Sequence, residues 1–162
     1  MVTPTNEDSA ARVQAAIAAL HPDLRVEIHA GSTATAEGAA SAAGCALGQI
    51  VKSLLFIAGT RPLLALVAGD RKADVPRLAV LLGVPRKRLR LATPDEVLAI
   101  TGFPIGGVPP LGQPAPIETL IDAAFERYDT LYAAAGTPHA VFRIRRALLV
   151  ELTGGRVASF TA

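Results

Sequence analysis

Residues 50–68 read I-V-K-S-L-L-F-I-A-G-T-R-P-L-L-A-L-V-A. Two runs rich in branched apolar residues, Ile50 to Ala58 and Pro62 to Ala68, flank the turn-forming G-T-R-P. They read as the two strands of a hairpin at the centre of a sheet. Lys52 interrupts the first run and is the only charged residue between Glu37 and Arg61. In strand period it shares a face with Ile50, Leu54 and Phe56, so an inward face carries its ammonium into a pocket. Burying an unpaired ammonium is costly, so a lysine placed there needs a partner or a function. The alternative is an outward lysine, or one whose stem snorkels to the rim.

Upstream, Thr5 with Asp8 three residues on has the spacing of a capping box, and predicts a helix over 6–20 that Pro22 ends. Leu24, Val26 and Ile28 alternate with polar residues as a half-buried strand does, and the Ala-rich segment 36–44 predicts a second helix. Downstream, Asp74 caps a helix that holds Pro76 in its first turn and ends at Gly83. Thr93-Pro94-Asp95-Glu96 combines an N-cap, a first-turn proline and a capping-box glutamate, with Gly102 as the stop. Strands are expected near 116–119, 130–134, 140–145 and 156–160, with a helical turn around 146–152 and a turn at Gly154-Gly155. Hairpins interspersed with helices, without repeat or linker, give an α+β fold: one domain over 1–162, a mixed, partly barrel-like sheet with surrounding helices.

The stretch from Thr101 to Gly112, T-G-F-P-I-G-G-V-P-P-L-G, is neither helix nor central strand. Gly106 and Gly107 permit contorted backbone while Pro109 and Pro110 stiffen it, so a shaped, rigid loop beside a lone lysine points to a binding site. A second candidate is A-A-A-G-T-P-H, residues 133–139, where Gly136 and Pro138 shape a turn and His139 offers hydrogen bonding. For His139 a strand-start histidine without chemical role is the competing reading.

The composition is 51% hydrophobic with a net charge of +2, and no apolar run approaches the roughly 18 residues that span a bilayer. Asn6, Glu7 and Asp8 stand where a signal peptide would be apolar, so a cytoplasmic protein with no membrane partner is expected. Cys45 is the single cysteine, which excludes an internal disulfide and a cysteine-based zinc cage. Neither H-E-x-x-H nor C-x-x-C occurs, and no metal and no organic cofactor are expected. Basic residues cluster at Arg71, Lys72, Arg77, Arg86, Lys87, Arg88 and Arg90 and again at Arg143, Arg145 and Arg146. Such clusters either contact phosphates or form a solvated face. With five Phe, two Tyr and no Trp, any RNA contact would be backbone electrostatics around one docked end.

Cys45 to Ala58, the following L-L-A-L-V-A-G-D-R-K-A-D, the G-G-V-P-P-L-G loop, Ile121-Asp122 and A-A-A-G occur in the order of, and together resemble, the YbaK/prolyl-tRNA editing family. The resemblance runs from about His29 to Phe160. It implies the YbaK/prolyl-tRNA-synthetase-associated fold and a free-standing, trans-acting aminoacyl-tRNA deacylase that hydrolyses the ester of a mischarged tRNA bearing a small amino acid. A non-catalytic module of the same fold that binds a tRNA end or a nucleotide is the alternative. The implied partners are the 3′ end of aminoacyl-tRNA and, further, a synthetase. Lys52 matches the family lysine required for deacylation, contacting the terminal ribose–phosphate or the ester carbonyl. Free amides near Gly106, Gly107 and Val108 are expected to help orient the substrate, with water as the nucleophile. Ser53 is a lesser substrate contact, expected on the opposite strand face, and no base beside it supports covalent catalysis. Gly136 matches a glycine of the family's substrate pocket. Ala134 stands where many relatives have serine, and Pro109 where many have serine before the proline, which puts the amino-acid preference in question. Asp122 is expected to brace backbone or a basic group, Asp70 to cap a turn, and Cys45 to pack.

Overall fold

The computed structural model describes the backbone from Asn6 to Ala162 and side chains from Asp8 onward. The Thr5 end of the expected capping box lies outside the described residues. In chain order the elements are α1 (Asn6–Leu20), β1 (Val26–Ile28), α2 (Ala36–Ala43), β2 (Ile50–Ala58), β3 (Arg61–Ala68), α3 (Val75–Leu82), β4 (Leu89–Leu91), α4 (Pro94–Thr101), β5 (Glu118–Asp122), β6 (Thr130–Ala134), β7 (Ala140–Arg145), α5 (Arg146–Thr153) and β8 (Arg156–Ala158). The class is α+β with one mixed sheet in the order β1-β7-β6-β2-β3-β5-β8, with β4 paired to β2 beside this path.

The hairpin forms the middle of this sheet. β2 and β3 pair antiparallel from Val51↔Ala68 to Ala58↔Arg61, and β5 adds to β3 in parallel. Leu63 to Ala68 are all fully buried, because α1 and the 103–111 loop cover one face and α3 the other. That double burial explains the unbroken apolar run, where a one-sided strand would alternate. Leu64, Leu66, Val51 and Leu55 pack with Phe142 and Leu131 on one side; Leu63, Val67 and Phe56 pack with Leu78 and Phe160 on the other. Each such leucine contributes about 1.5–3 kcal/mol by leaving water.

The helix signals operate as their chemistry requires. Asp74 accepts from the Arg77 amide, and Thr93 and Glu96 close a reciprocal box, with Gly83 and Gly102 left-handed at the C-caps. Three strand expectations shift. β1 begins at Val26, and β8 ends at Ala158, because only these residues meet a neighbour. The strand expected near 116–119 runs over Glu118–Asp122, where it finds both β3 and β8. β4 was hidden within the basic run R-K-R-L-R-L. Its pairing partner is Phe56 to Ala58, remote in sequence.

Candidate functional site

β2 is fully paired along one edge and interrupted along the other. On the second edge β6 pairs only with Ile50 and Val51, and β4 only with Phe56 to Ala58. A cavity of about 390 Å³ opens where the two neighbours part. Because it meets β2 edge-on, successive residues line it: Lys52, Ser53 and Leu54 all do. Alternation puts Ser53 on the strand face opposite Lys52, and both still line the site because this cavity spans both faces.

The walls come from four further segments. Thr33 to Ala36 and Ala39 form one side, Leu91, Ala92 and Val97 another, Ile105, Gly106 and Val108 a third, and Tyr132 to Ala134 with Val141 the fourth. Most of this lining is apolar, and among the described residues no His, Asp or Glu side chain contributes to it. Leu91 and Ile105 are 57% and 59% exposed, which marks them as the rim. The Thr93 and Glu96 box turns the chain from β4 into α4, whose buried Val97 lines the cavity.

Lys52 is half-buried, and its Nζ donates to the Arg71 carbonyl at 2.5 Å. Burial pushes its pKa below the ordinary lysine value, while Glu37, Asp70 and Asp122 pull the other way and Lys72 reinforces burial. Two hydroxyls in the lining, Thr33 Oγ1 and Ser53 Oγ, are buried without a hydrogen-bond partner among the described residues. Unpaired buried polar atoms are rare because each forfeits its solvation, so both are ready to meet a polar ligand.

The two glycine loops divide their work. Gly106, at φ 86°, and Val108 line the cavity. Gly107 does not: its amide donates to the Pro104 carbonyl at 3.0 Å, and its carbonyl accepts from the Gly136 amide at 2.7 Å. The expectation of a free Gly107 amide is corrected accordingly; the loop spends it on its own turn. A Cβ on Gly107 would lie 2.7 Å from the Gly136 carbonyl carbon, so glycine is there for backbone contact between the loops. Pro109 is buried outside the lining, and its carbonyl accepts from Gln113 Nε2 at 2.6 Å.

Ala134 reaches the cavity, whereas Gly136 and His139 do not. Gly136, at φ 93°, packs on α1, where an added Cβ would stand 2.7 Å from the Ser9 carbonyl oxygen. His139 Nδ1 lies 3.1 Å from the Gly31 carbonyl oxygen, and its own carbonyl accepts from the His29 amide. The Thr33 amide donates to Pro138, so the 137–139 turn anchors the segment that delivers Thr33. Thr33, Val97, Ile105 and Leu91 were not singled out from sequence; each is unremarkable locally and is brought to the site by long-range packing.

Asp122 braces backbone and a hydroxyl rather than a basic group, accepting from the Ala68 and Ala124 amides and from Thr161 Oγ1. Asp70 forms a two-pronged pair with Arg127 at 2.7 and 2.8 Å, which holds its carboxyl below the usual range. Burial pushes the Cys45 thiol up, away from reactivity. Among the described residues no cluster of His, Cys, Asp or Glu could hold a metal ion, and no helix is long and apolar enough to cross a membrane.

The fold is α+β, with a mostly apolar cavity at a sheet gap whose described lining holds one cation, Lys52, and two buried hydroxyls without a partner among the described residues. The chain belongs to the aminoacyl-tRNA editing domain family, whose model matches residues 30–152. It is 34% identical over 119 residues to the multifunctional Ser/Thr-tRNA deacylase ProXp-y of Escherichia coli (strain K12), covering 70% of each chain. It is 26% identical over 128 residues to EbsC of Enterococcus faecalis (strain ATCC 700802 / V583), a candidate Cys-tRNA(Pro)/Cys-tRNA(Cys) deacylase, covering 78% of this chain and 77% of that one. The crystal structure of a candidate trans-editing enzyme for prolyl tRNA synthetase superposes with a TM-score of 0.89 at 41% identity, covering 100% of this chain and 99% of the other.

Proposed function

We propose that the protein is a cytoplasmic, trans-acting aminoacyl-tRNA deacylase that hydrolyses the ester of a mischarged tRNA carrying a small amino acid. The observation that carries this reading is the cavity at the β2 gap in a chain of the editing family: Lys52 and two unpaired hydroxyls set in apolar walls. Its volume is in the range of small-molecule sites, and alanine and valine walls leave room for a short acyl side chain at the end of a tRNA.

An aminoacyl ester is already activated, so catalysis needs a positioned water, stabilisation of the oxyanion and exclusion of larger acyl groups. The oxygen of water forms a bond to the acyl carbon as the carbonyl π pair moves onto oxygen. Collapse returns that pair and breaks the bond to the ribose oxygen, which leaves with its electrons and takes up the proton that water gives up. Lys52 supplies the positive charge, to the developing oxyanion or to the terminal ribose–phosphate. Ser53 and Thr33 bond the substrate's polar atoms, and Gly106, Val108 and Ala134 shape the wall. Gly107, Pro109, Gly136 and His139 serve the site by holding its loops together. The partner is the 3′ end of aminoacyl-tRNA, with a synthetase as the source of the mischarged species.

The test is release of amino acid from tRNAs mischarged with Ala, Ser, Thr, Cys or Pro, by wild type and Lys52→Ala in parallel. Lysine-dependent release of one or a few small amino acids is expected, with partial overlap, since one methylene separates substrates by only about 1–3 kcal/mol. Retained binding of the charged end with no release by wild type would replace this reading with a non-catalytic tRNA-end module. An unchanged rate in Lys52→Ala would remove Lys52 from the mechanism.

A further inference from the structure

The register of the central hairpin fixes where each β2 backbone group points. The Ile50 carbonyl accepts from the Gly69 amide at 2.8 Å, so even-numbered residues of β2 exchange hydrogen bonds with β3. Odd-numbered residues then turn their N–H and C=O to the opposite edge. Leu55 confirms the phase there: its carbonyl accepts from the Ala92 amide at 2.9 Å. Ser53 is the next odd residue back, and it falls in the gap. The β6 ladder stops at Val51↔Ala133, and the β4 ladder begins at Phe56↔Leu91. Beyond β6 the chain turns away, since the Ala135 and Gly136 amides bond Ala140 and Gly107. Beyond β4 the next position that could pair is Pro94, which has no amide. Among the described residues the Ser53 N–H and C=O thus have no strand partner, and both face the cavity.

A half-buried strand residue rarely leaves both main-chain groups unmade. The vacant place opposite Ser53 has the shape of one strand residue, with a donor and an acceptor on the same side of a short backbone. An α-aminoacyl ester carries that pair, an amine and a carbonyl two bonds apart along N–Cα–C. We infer that Ser53 clasps the aminoacyl unit through its main chain, as a one-residue antiparallel strand laid into the gap. Its N–H donates to the ester carbonyl oxygen and its C=O accepts from the α-amine.

This inference rests on the deacylase reading and gives that reading an oxyanion donor besides Lys52. The N–H already points where negative charge develops when water adds, and it needs no reorganisation. In a hydrogen-bonded antiparallel pair the two side chains lie on one face. The acyl side chain therefore falls beside Ser53 Oγ, the unpartnered hydroxyl, on the face that carries Val51 and Leu55. An acyl group without an α-amine loses half of the clasp, so the site selects α-aminoacyl esters over simple acyl esters.

Two measurements on the full chain test this. In the first, Ser53 is replaced by its α-hydroxy counterpart through nonsense suppression, which exchanges one amide N–H for an ester oxygen and keeps the side chain. A fall in kcat of roughly 10²- to 10³-fold with an unchanged circular dichroism spectrum is expected; wild-type turnover overturns the inference. The second holds even if that variant does not fold. Serine-¹⁵N wild-type protein is titrated with adenosine bearing a seryl group through an amide in place of the ester. A saturable downfield shift and slowed exchange of the Ser53 amide proton are expected, and an unmoved Ser53 resonance overturns the inference. A wild type that hydrolyses no mischarged tRNA would sink the deacylase reading, while a saturable Ser53 shift would still support the clasp.

Discussion

The two edges of β2 are built from the same nine residues and do opposite things. Toward β3 the pairing runs the whole length of the strand; toward β6 and β4 it is made at both ends and left open in the middle. The first edge joins β2 to the fully buried run Leu63 to Ala68, and the second borders the cavity. Stability and function are thereby separated across one strand, with the closed edge holding the open one in shape. Substitutions on the closed side should cost folding at constant specific activity, and substitutions on the open side should do the reverse.

The largest effect is expected from Leu66→Ala. Leu66 is fully buried in β3, directly opposite Ser53 across the closed edge. Loss of transfer energy plus an unfilled cavity should lower unfolding free energy by about 2–5 kcal/mol, read from denaturant curves with unchanged m. If activity per folded molecule also collapsed, the two edges would not be separable.

Lys52→Ala should break the other side. A loss of roughly 10²- to 10³-fold in kcat, about 2.7–4 kcal/mol at the transition state, is the expected cost of one electrostatic donor. Stability should change little, since the native state disfavours the buried charge and loses one bond to the Arg71 carbonyl. Burial lowers the Lys52 pKa, so the lysine-dependent rate should fall on the alkaline side at a pH below the free-lysine value. A pH profile of the enzymatic rate, corrected for base hydrolysis, checks the sign; a rate that still rises through that range means the charged form is not used.

Gly107→Ala sharpens the division between glycines. Its Cβ would stand 2.7 to 2.9 Å from three backbone atoms of Gly136 and Thr137, none of which can swing aside. An overpacking cost of about 1–3 kcal/mol is expected, with a drop in activity as the loops separate around Thr33 and Val108. Thermal unfolding together with KM for a mischarged tRNA would show whether both follow; a neutral substitution would mean that the loop contact does not shape the cavity.

The closed edge was legible in the sequence and the open edge was not, for a physical reason. A hairpin, a capping box and a Gly stop are short-range chemistry, so β2, β3, α3 and α4 could be placed from residues a few positions apart. Lys52 announced itself by being a charge in an apolar run. A gap in a sheet is a relation among three strands, and no local pattern encodes where β6 ends and β4 begins. For that reason nothing local shows that Ser53, on the face opposite Lys52, and Thr33 reach the same cavity, or that the Gly107 and Gly136 backbones pack on each other and on α1.

The smallest effect expected concerns the element that frames the open edge. Glu96 holds the start of α4 in two ways. Its carboxylate accepts from the Thr93 amide, and it takes a two-pronged bond from Arg90 on β4, at 2.7 and 3.0 Å. These contacts, Arg90 first, bring its pKa down to about 2. Glu96→Gln keeps an oxygen for the cap and removes the charge, which isolates the ionic part. A carboxyl whose folded pKa is depressed contributes stability fully present above its ordinary value of 4.5 and lost as pH falls through about 2. The wild type should therefore melt slightly above Glu96→Gln at neutral pH, and the gap should close between those two values. Salt should narrow it as well, because the pair is open to solvent. A Tm difference that stayed constant across that window would assign the whole effect to cap geometry, and would leave the link between β4 and α4 without an electrostatic component.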